Sequence, residues 1–489
     1  MSRPTPIGTI DFLALLPAAF TMLTFMGCPA VGPDYVKPAT SVSAAWNTEL
    51  QGGLSAGQPD RQTLARWWTT LNDPVLSSLI ERAVVGNLDL QEARARVREA
   101  RARRGISKAA LFPTIDAGGS ASVRRSSEER GRGTEEDLYE IGFDAGWELD
   151  LFGGTRRSIE GAEADLQASR ENLRDVLVSL LAEVALNYVD VRTFQTRLSV
   201  ATANLDAQTD TYNISTWRLE AGLTTQLDVE QARYSMEQTR AQIPTLRTGL
   251  EQAKNGLAVL LGEQPGALHP ELEGSRPVPV TPLEVAVGIP ADVLRRRPDV
   301  RQAERELAAQ TARVGVATAD LYPKFSLPGS IGLEALSPDN LFSAGSRTYL
   351  AGPAVTWRIF DAGAIRSNID VQTALQEQAL IRYESAVLTA LEDVENMLVA
   401  YADEQVRRRS LVDATEAAQR AVDLARDQYS SGLIDFQNVL VAQRSLLVLQ
   451  EELAVSDSRV TSNLISLYKA LGGGWTSLAS AGAAAHAKQ

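Results

Sequence analysis

The sequence predicts a mixed, mainly helical chain of long coiled-coil helices and four β-strands, arranged as an internal tandem repeat. Three observations carry this. Residues 429–444 read YSSGLIDFQNVLVAQR and residues 218–233 read RLEAGLTTQLDVEQAR, so matching turns sit at Gly432 and Gly222, 432 − 222 = 210 residues apart. Neither Gly nor Pro interrupts residues 162–221, 364–431 or 433–471, which favours long helices. Four shorter segments alternate apolar and polar side chains with the period of a strand.

Composition narrows the function. At 489 residues and 44% hydrophobic, the chain can build a core, and its wealth of Ala, Leu, Gln, Arg and Glu favours helix over a compact α/β enzyme. A net charge of −13 argues against a nucleic-acid partner, whose phosphates need a basic surface. His269 and His486 are the only histidines, so a His-based catalytic or metal site is not expected. No Gly-x-Ser-x-Gly, HExxH or phosphate-loop pattern is present, and the chain reads as no enzyme, with no metal site and no cofactor.

The chain opens with Arg3, a mainly apolar run over residues 7–26, and then Gly27-Cys28. This is the layout of a secretory signal, and Pro4, Pro6, Pro17 and Asp11 weaken it as a spanning helix. A cysteine directly after a small residue also fits a lipoprotein signal, with Cys28 as the acylated first residue of the mature chain. Phe25 and Met26 depart from that pattern, and a plain secretory signal is the alternative.

Residues 28–62 read as an extended segment. Asp73-Pro74 starts a helix, because Asp caps and Pro fits the first turn; Leu76, Leu79, Ile80 and Ala83 form its apolar stripe. Asn87 caps a second helix, which should stop near Leu111 ahead of Pro113. The period then becomes two, with Ile115, Ala117, Gly119, Ala121 and Val123 on one side. In the next strand Tyr139, Ile141, Phe143, Ala145, Trp147, Leu149 and Leu151 alternate with polar positions that include Glu140, Asp144, Glu148 and Asp150. A soluble sandwich strand could alternate in this way. A long strand, apolar on one face and acidic on the other, is also what a membrane barrel requires.

The second copy repeats the pair. Phe325, Leu327, Ile331, Leu333 and Ala335 form the apolar side of one strand, and after a loop Tyr349, Ala351, Val355, Trp357 and Ile359 that of the next, although Pro328 and Pro353 weaken both strands. Sheet edges cannot stay open in lipid, and about eight strands are the fewest that close. If the four strands span a membrane, several chains must share a barrel.

Between strands and turns, Leu177, Leu181, Val184, Tyr188, Val191, Leu198 and Leu205 step by three, four and seven, and Val387, Leu391, Val394, Leu398 and Tyr401 repeat the pattern. Return helices follow each turn, and Pro244 should kink the first. An ordinary long-helix bundle would show the same periodicity.

Cys28 with VGPDY, the segment from Trp67-Trp68 through Asn72-Asp73-Pro74, Phe112-Pro113, WELDLFGG, WRIFDAG, both glycine turns and YKALGGGW resemble, in this order, the outer-membrane factor family. These are the TolC/OprM-like channels, here the lipoprotein branch of tripartite RND-type efflux systems. The resemblance implies a homotrimer whose twelve strands form one shared outer-membrane β-barrel above a periplasmic coiled-coil helical tube. It also implies a periplasmic adaptor, an inner-membrane RND-type transporter, contact with outer-membrane lipid, and passive export of small molecules.

On this reading residues 1–27 are signal peptide, 28–62 the lipidated N-terminal segment, 63–264 the first repeat, 265–297 an equatorial linker, 298–475 the second repeat and 476–489 a disordered tail. The membrane face carries Tyr139, Ile141, Phe143, Trp147, Leu149 and Trp357. The resemblance places a periplasmic gate at Asp228, Tyr429, Asp435, Gln437 and Arg444, with Asp228 latching Tyr429 and Arg444. Adaptor contacts are expected at Gly222, Leu223, Thr224, Gly432, Leu433 and Ile434. Lipoprotein members read LDAQR where this chain reads LVAQR, so Val441 replaces an acidic residue. A type I protein-secretion channel and a pore-free coiled-coil scaffold are the competing functions.

Overall fold

The computed structural model describes residues 30–39, 42–58, 60–129, 133–279, 282 and 284–475. Cys28 and the expected signal peptide and tail lie outside these. In chain order the helices are α1 (Arg61–Ala65), α2 (Pro74–Gly86), α3 (Leu88–Ala109), α4 (Gly154–Glu220), α5 (Gln226–Leu260), α6 (Pro290–Arg296), α7 (Pro298–Ala319), α8 (Ala364–Ser430) and α9 (Phe436–Ala470). The strands are β1 (Leu54–Ser55), β2 (Thr114–Arg125), β3 (Glu135–Leu149), β4 (Val285–Ala286), β5 (Lys324–Ala335), β6 (Arg347–Ala351) and β7 (Ala354–Thr356).

The repeat holds to the residue. Shifting α3, β2, α4 and α5 by 210 gives the bounds of α7, β5, α8 and α9, so both copies have a helix of 67 residues followed by one of 35. The helix ends repeat too. At Gly222 and Gly432 (φ +69° and +74°) the glycine N–H bonds three residues back, and the next N–H bonds five residues back, from Leu223 to Arg218 and from Leu433 to Gln428. This Schellman closure needs a left-handed residue, which glycine adopts without a Cβ clash. α5 runs continuously through Pro244.

Compactness cuts across the repeat. One unit comprises residues through Pro38, Val97–Ser169 and Ala303–Tyr383; the other comprises Ala39–Arg96, Arg170–Gln302 and residues from Glu384 on.

The first unit holds the large antiparallel sheet, in the order β2-β3-β5-β6 with β7 also on β5. β6 and β7 are one expected strand interrupted at Gly352-Pro353, where Pro353 has no N–H to give the ladder. The strand ends at Thr356, short of Trp357 and Ile359. β3 likewise stops at Leu149. Asp150, expected on the strand's polar side, instead turns its carboxylate to the N–H groups of Thr155 and Arg156 at the start of α4.

The same unit clamps the N-terminal segment. Arg157, almost fully buried, donates to the carbonyls of Val31 and Gly32 and to Asp34. Lys37 and Tyr35 both reach Glu304, at 2.7 and 3.3 Å. Burial, and then the Glu304 charge, raise the Tyr35 phenol to about 12, while Glu304 stays below its ordinary range because its partners outweigh its burial.

The second unit carries the main apolar core, from Trp67, Leu76, Leu79 and Ile80 through Leu177, Leu181, Val184 and Tyr188 to Leu464 and Tyr468. Trp67 stacks on Tyr468 at 5.5 Å, and Asp73 caps α2 while accepting from the Tyr188 hydroxyl. Asn87 caps α3 as its position suggests. β1 and β4 form a short parallel ladder. Glu395 holds the extended segment through four bonds from Asn47 and Thr48.

Candidate functional site

Two regions answer to the expected channel chemistry, and the sheet is the first. Its register places directly paired residues on one face, because side chains on neighbouring strands alternate together. One row runs Ala117, Phe143, Ile331, Tyr349 and a second Gly119, Ile141, Leu333, Arg347; a third joins Trp147 to Leu327, and a fourth Leu149, Phe325, Val355. All of these are apolar or aromatic except Arg347, at the start of the edge strand β6. The intervening rows carry Asp116, Asp144, Ser330 and Ser120, Glu140, Glu334, with Glu148 opposite Ser326, the first of them ending on Leu350 of the edge strand. Phe143, Ile331 and Tyr349 are 57, 65 and 84% exposed in the isolated chain, so the apolar face lacks a protein partner among the described residues.

Tyr139, Ile141, Phe143, Trp147 and Leu149 all lie on this face. Trp147 and Trp357 tie this sheet to the preceding helices: their indole N–H groups donate to the carbonyls of Leu111 and Leu321, at 2.9 and 3.1 Å, just past the ends of α3 and α7. Trp357 does so from beyond the end of β7. No described helix is long and apolar enough to cross a membrane. Among the described residues β2 pairs only with β3, and β6 and β7 only with β5, which leaves both sheet edges open.

The second region is the pair of hairpin tips in the other unit. Asp228 is the third residue of α5 and belongs to a capping box with Thr225. Its Oδ2 accepts from the hydroxyls of Thr224 and Thr225 at 2.7 and 2.8 Å and from the Thr225 N–H at 3.1 Å. Slight burial pushes its carboxyl up, but these three donors outweigh it and hold the group below the ordinary aspartate range. The signal was legible as Thr-x-x-Asp after the turn. The second copy has Asp435 and Asn438 at the corresponding places; Asp435 starts α9 with no side-chain cap bond and is exposed.

Within the described chain Asp228, Tyr429 and Arg444 do not hydrogen-bond one another. The Tyr429 ring instead lies under the Arg218 guanidinium at 4.5 Å and beside Phe436 at 5.3 Å, with Ala232 and Leu440 in the same small core. Arg444 lies over the Tyr234 ring at 5.3 Å. Gln437 is exposed, and Val441 is 52% exposed. Leu223 and Leu433 stand 67 and 74% exposed on the two turns, with Gly222 and Gly432 open to solvent beside them. Sequence reasoning missed Arg218, since its partner lies 211 residues away. No group of three acidic, His or Cys side chains that could hold a metal occurs among the described residues.

Comparison with known proteins agrees with this geometry. The outer membrane efflux protein family matches residues 79–263 and 289–473, one block in each copy. Nodulation protein T of Rhizobium leguminosarum bv. trifolii is 32% identical over 464 residues, covering 95% of this chain and 98% of that protein. The toluene efflux pump outer membrane protein TtgI of Pseudomonas putida is 32% identical, covering 94% and 97%. The solved outer-membrane channel OprN superposes with a TM-score of 0.86 at 35% identity, covering 91% of this chain and 99% of that one. The chain belongs to the outer membrane efflux protein family: it is an outer-membrane channel subunit with a periplasmic helical part.

Proposed function

We propose that three copies of this chain share one barrel of three times four strands and form a passive duct for small molecules, served by a periplasmic adaptor and an inner-membrane RND-type transporter. The observation that carries the sharing is the sheet itself, which is apolar on one face, acidic on the other and open at both edges. Unpaired edges in lipid cost several kcal/mol per backbone group, and pairing β2 of one copy with the outer edge of the next removes them. Relatives named for toluene, solvent and antibiotic efflux support small, partly apolar cargo rather than a protein.

Acylation at Cys28 anchors the N-terminal segment, and the exposed turns at Gly222-Leu223-Thr224 and Gly432-Leu433-Ile434 receive the adaptor. Tyr429, Asp228, Asp435, Gln437 and Arg444 line the periplasmic gate, with any contact of Asp228 or Arg444 to Tyr429 made between copies. The test is purification from outer membranes followed by mass analysis and bilayer recording. Heat-dissociated trimers with single-channel conductance are expected; a monomer or a silent trimer refutes the duct. Cys28→Ser is expected to abolish fatty-acid labelling, and persistent labelling refutes the anchor.

A further inference from the structure

We infer that Arg218 is the gate's positioning residue: its guanidinium, laid on the Tyr429 ring, ties the tip of the first hairpin to the tip of the second within each chain. The inference rests on the gate reading above and assigns its intrachain contact to a cation and an aromatic ring in place of a carboxylate and a phenol.

Four observations support it. Arg218 lies in the last turn of α4, with its guanidinium carbon 4.5 Å from the Tyr429 ring centre and Nη1 donating to the Tyr429 carbonyl at 3.4 Å. Phe436, only 3% exposed, packs beside the same ring, so the ring cannot leave without opening the small core it shares with Ala232 and Leu440. Asp228 is turned toward its own hairpin, its Oδ2 accepting from three donors of that turn and neither oxygen bonding the phenol. The Tyr429 hydroxyl and Arg218 Nε are both buried with no hydrogen-bond partner among the described residues.

The last point gives the contact its direction. Buried polar groups without partners favour whichever state hydrates them, so separating the tips returns both groups to water. The ring–cation contact opposes this, and a guanidinium on an aromatic face is strongest where water is excluded. Closure is thus a balance between one attraction and two unmet hydrogen bonds, and a modest external pull can tip it. The repeat supplies the contact once per chain. The positions 210 residues from Arg218 and Tyr429 are Gln428 and Leu219, which have neither a cation nor a ring.

The experiment is a double-mutant cycle on the full-length protein with Arg218→Gln and Tyr429→Leu. The magnitude of such a contact corresponds to an open-to-closed ratio about five- to thirtyfold higher in each single variant. The double variant is expected to gain no more than either single one. Tyr429→Phe, which keeps the ring, is expected to leak less than Tyr429→Leu. Additive effects, or a Tyr429→Phe channel as leaky as Tyr429→Leu, overturn the inference in favour of a phenol latch. The same cycle read by thermal unfolding does not depend on conductance. Coupling there supports the contact even if the duct reading fails, and additivity overturns it.

Discussion

Phe143→Arg and Asp144→Arg differ by one position on β3 and should have opposite outcomes. Phe143 lies in the row Ala117, Phe143, Ile331, Tyr349, and in the proposed barrel a charge there would face hydrocarbon. An arginine on the lipid face near the membrane midplane costs about 2–4 kcal/mol, and three copies in one barrel multiply this to about 6–12 kcal/mol. That is comparable to the whole stability of a small domain, so Phe143→Arg is expected to abolish assembled trimers. Asp144 points to the other face, opposite Asp116 on β2 and Ser330 on β5. Arginine there replaces a like-charge pair with an opposite-charge one, a gain of about 0.2–1 kcal/mol. The assay is the heat-modifiable trimer band in outer-membrane fractions, with both variants expressed to equal levels. Intact trimers with Phe143→Arg and none with Asp144→Arg would refute the face assignment, and with it the register of the sheet.

Other outcomes follow from named contacts. Thr225→Ala removes a cap and a donor to Asp228, costing about 0.5–2 kcal/mol, and should speed hydrogen exchange over the first turn of α5. Because the Asp228 carboxyl is depressed, its contribution is complete above the ordinary aspartate range and is lost as pH falls through the lowered value. Fraying of that turn should therefore begin at a higher pH in Thr225→Ala than in the parent. Gly32 has φ +88°, and a Cβ there would lie 2.4 Å from the Gly315 Cα, so Gly32→Ala should release residues 30–38 to limited proteolysis. Arg297 is buried against Asp299, Asp393 and the carbonyls of Ala390 and Ala470. Arg297→Met leaves these without their cation and is expected to cost about 3 kcal/mol in thermal or denaturant unfolding.

Much of this was legible in the residues because period and punctuation are local signals. The glycine turns, Asp73 and Asn87 as caps, and the alternation of β2 and β3 all took their expected places, since each is decided within a few residues. Expectation and structure part where one residue type serves two roles. Asp150 continues the alternation of β3 by sequence, yet it lies where α4 needs an acceptor, and the orphan N–H groups of a helix start win. The charge of Asp228 suggests a latch, yet Thr225-Gln226-Leu227-Asp228 also spells a capping box, and that is the role the structure gives it. The partner of Tyr429 was beyond reach, because nothing near Arg218 in sequence announces a ring in the other copy.

The equality of the two copies has a consequence for how such a chain can change over generations. Both long helices have 67 residues and both return helices 35, and the tips they carry touch through Arg218 and Tyr429. Seven residues added to both arms of one hairpin would shift its tip by about 10 Å and break that contact. An ancestral line adapting to a deeper or shallower periplasm therefore cannot lengthen one hairpin at a time without passing through a form that lacks the Arg218–Tyr429 contact. Length variants that keep the contact should carry matched insertions in all four arms, and a single unmatched one marks a chain that has given it up.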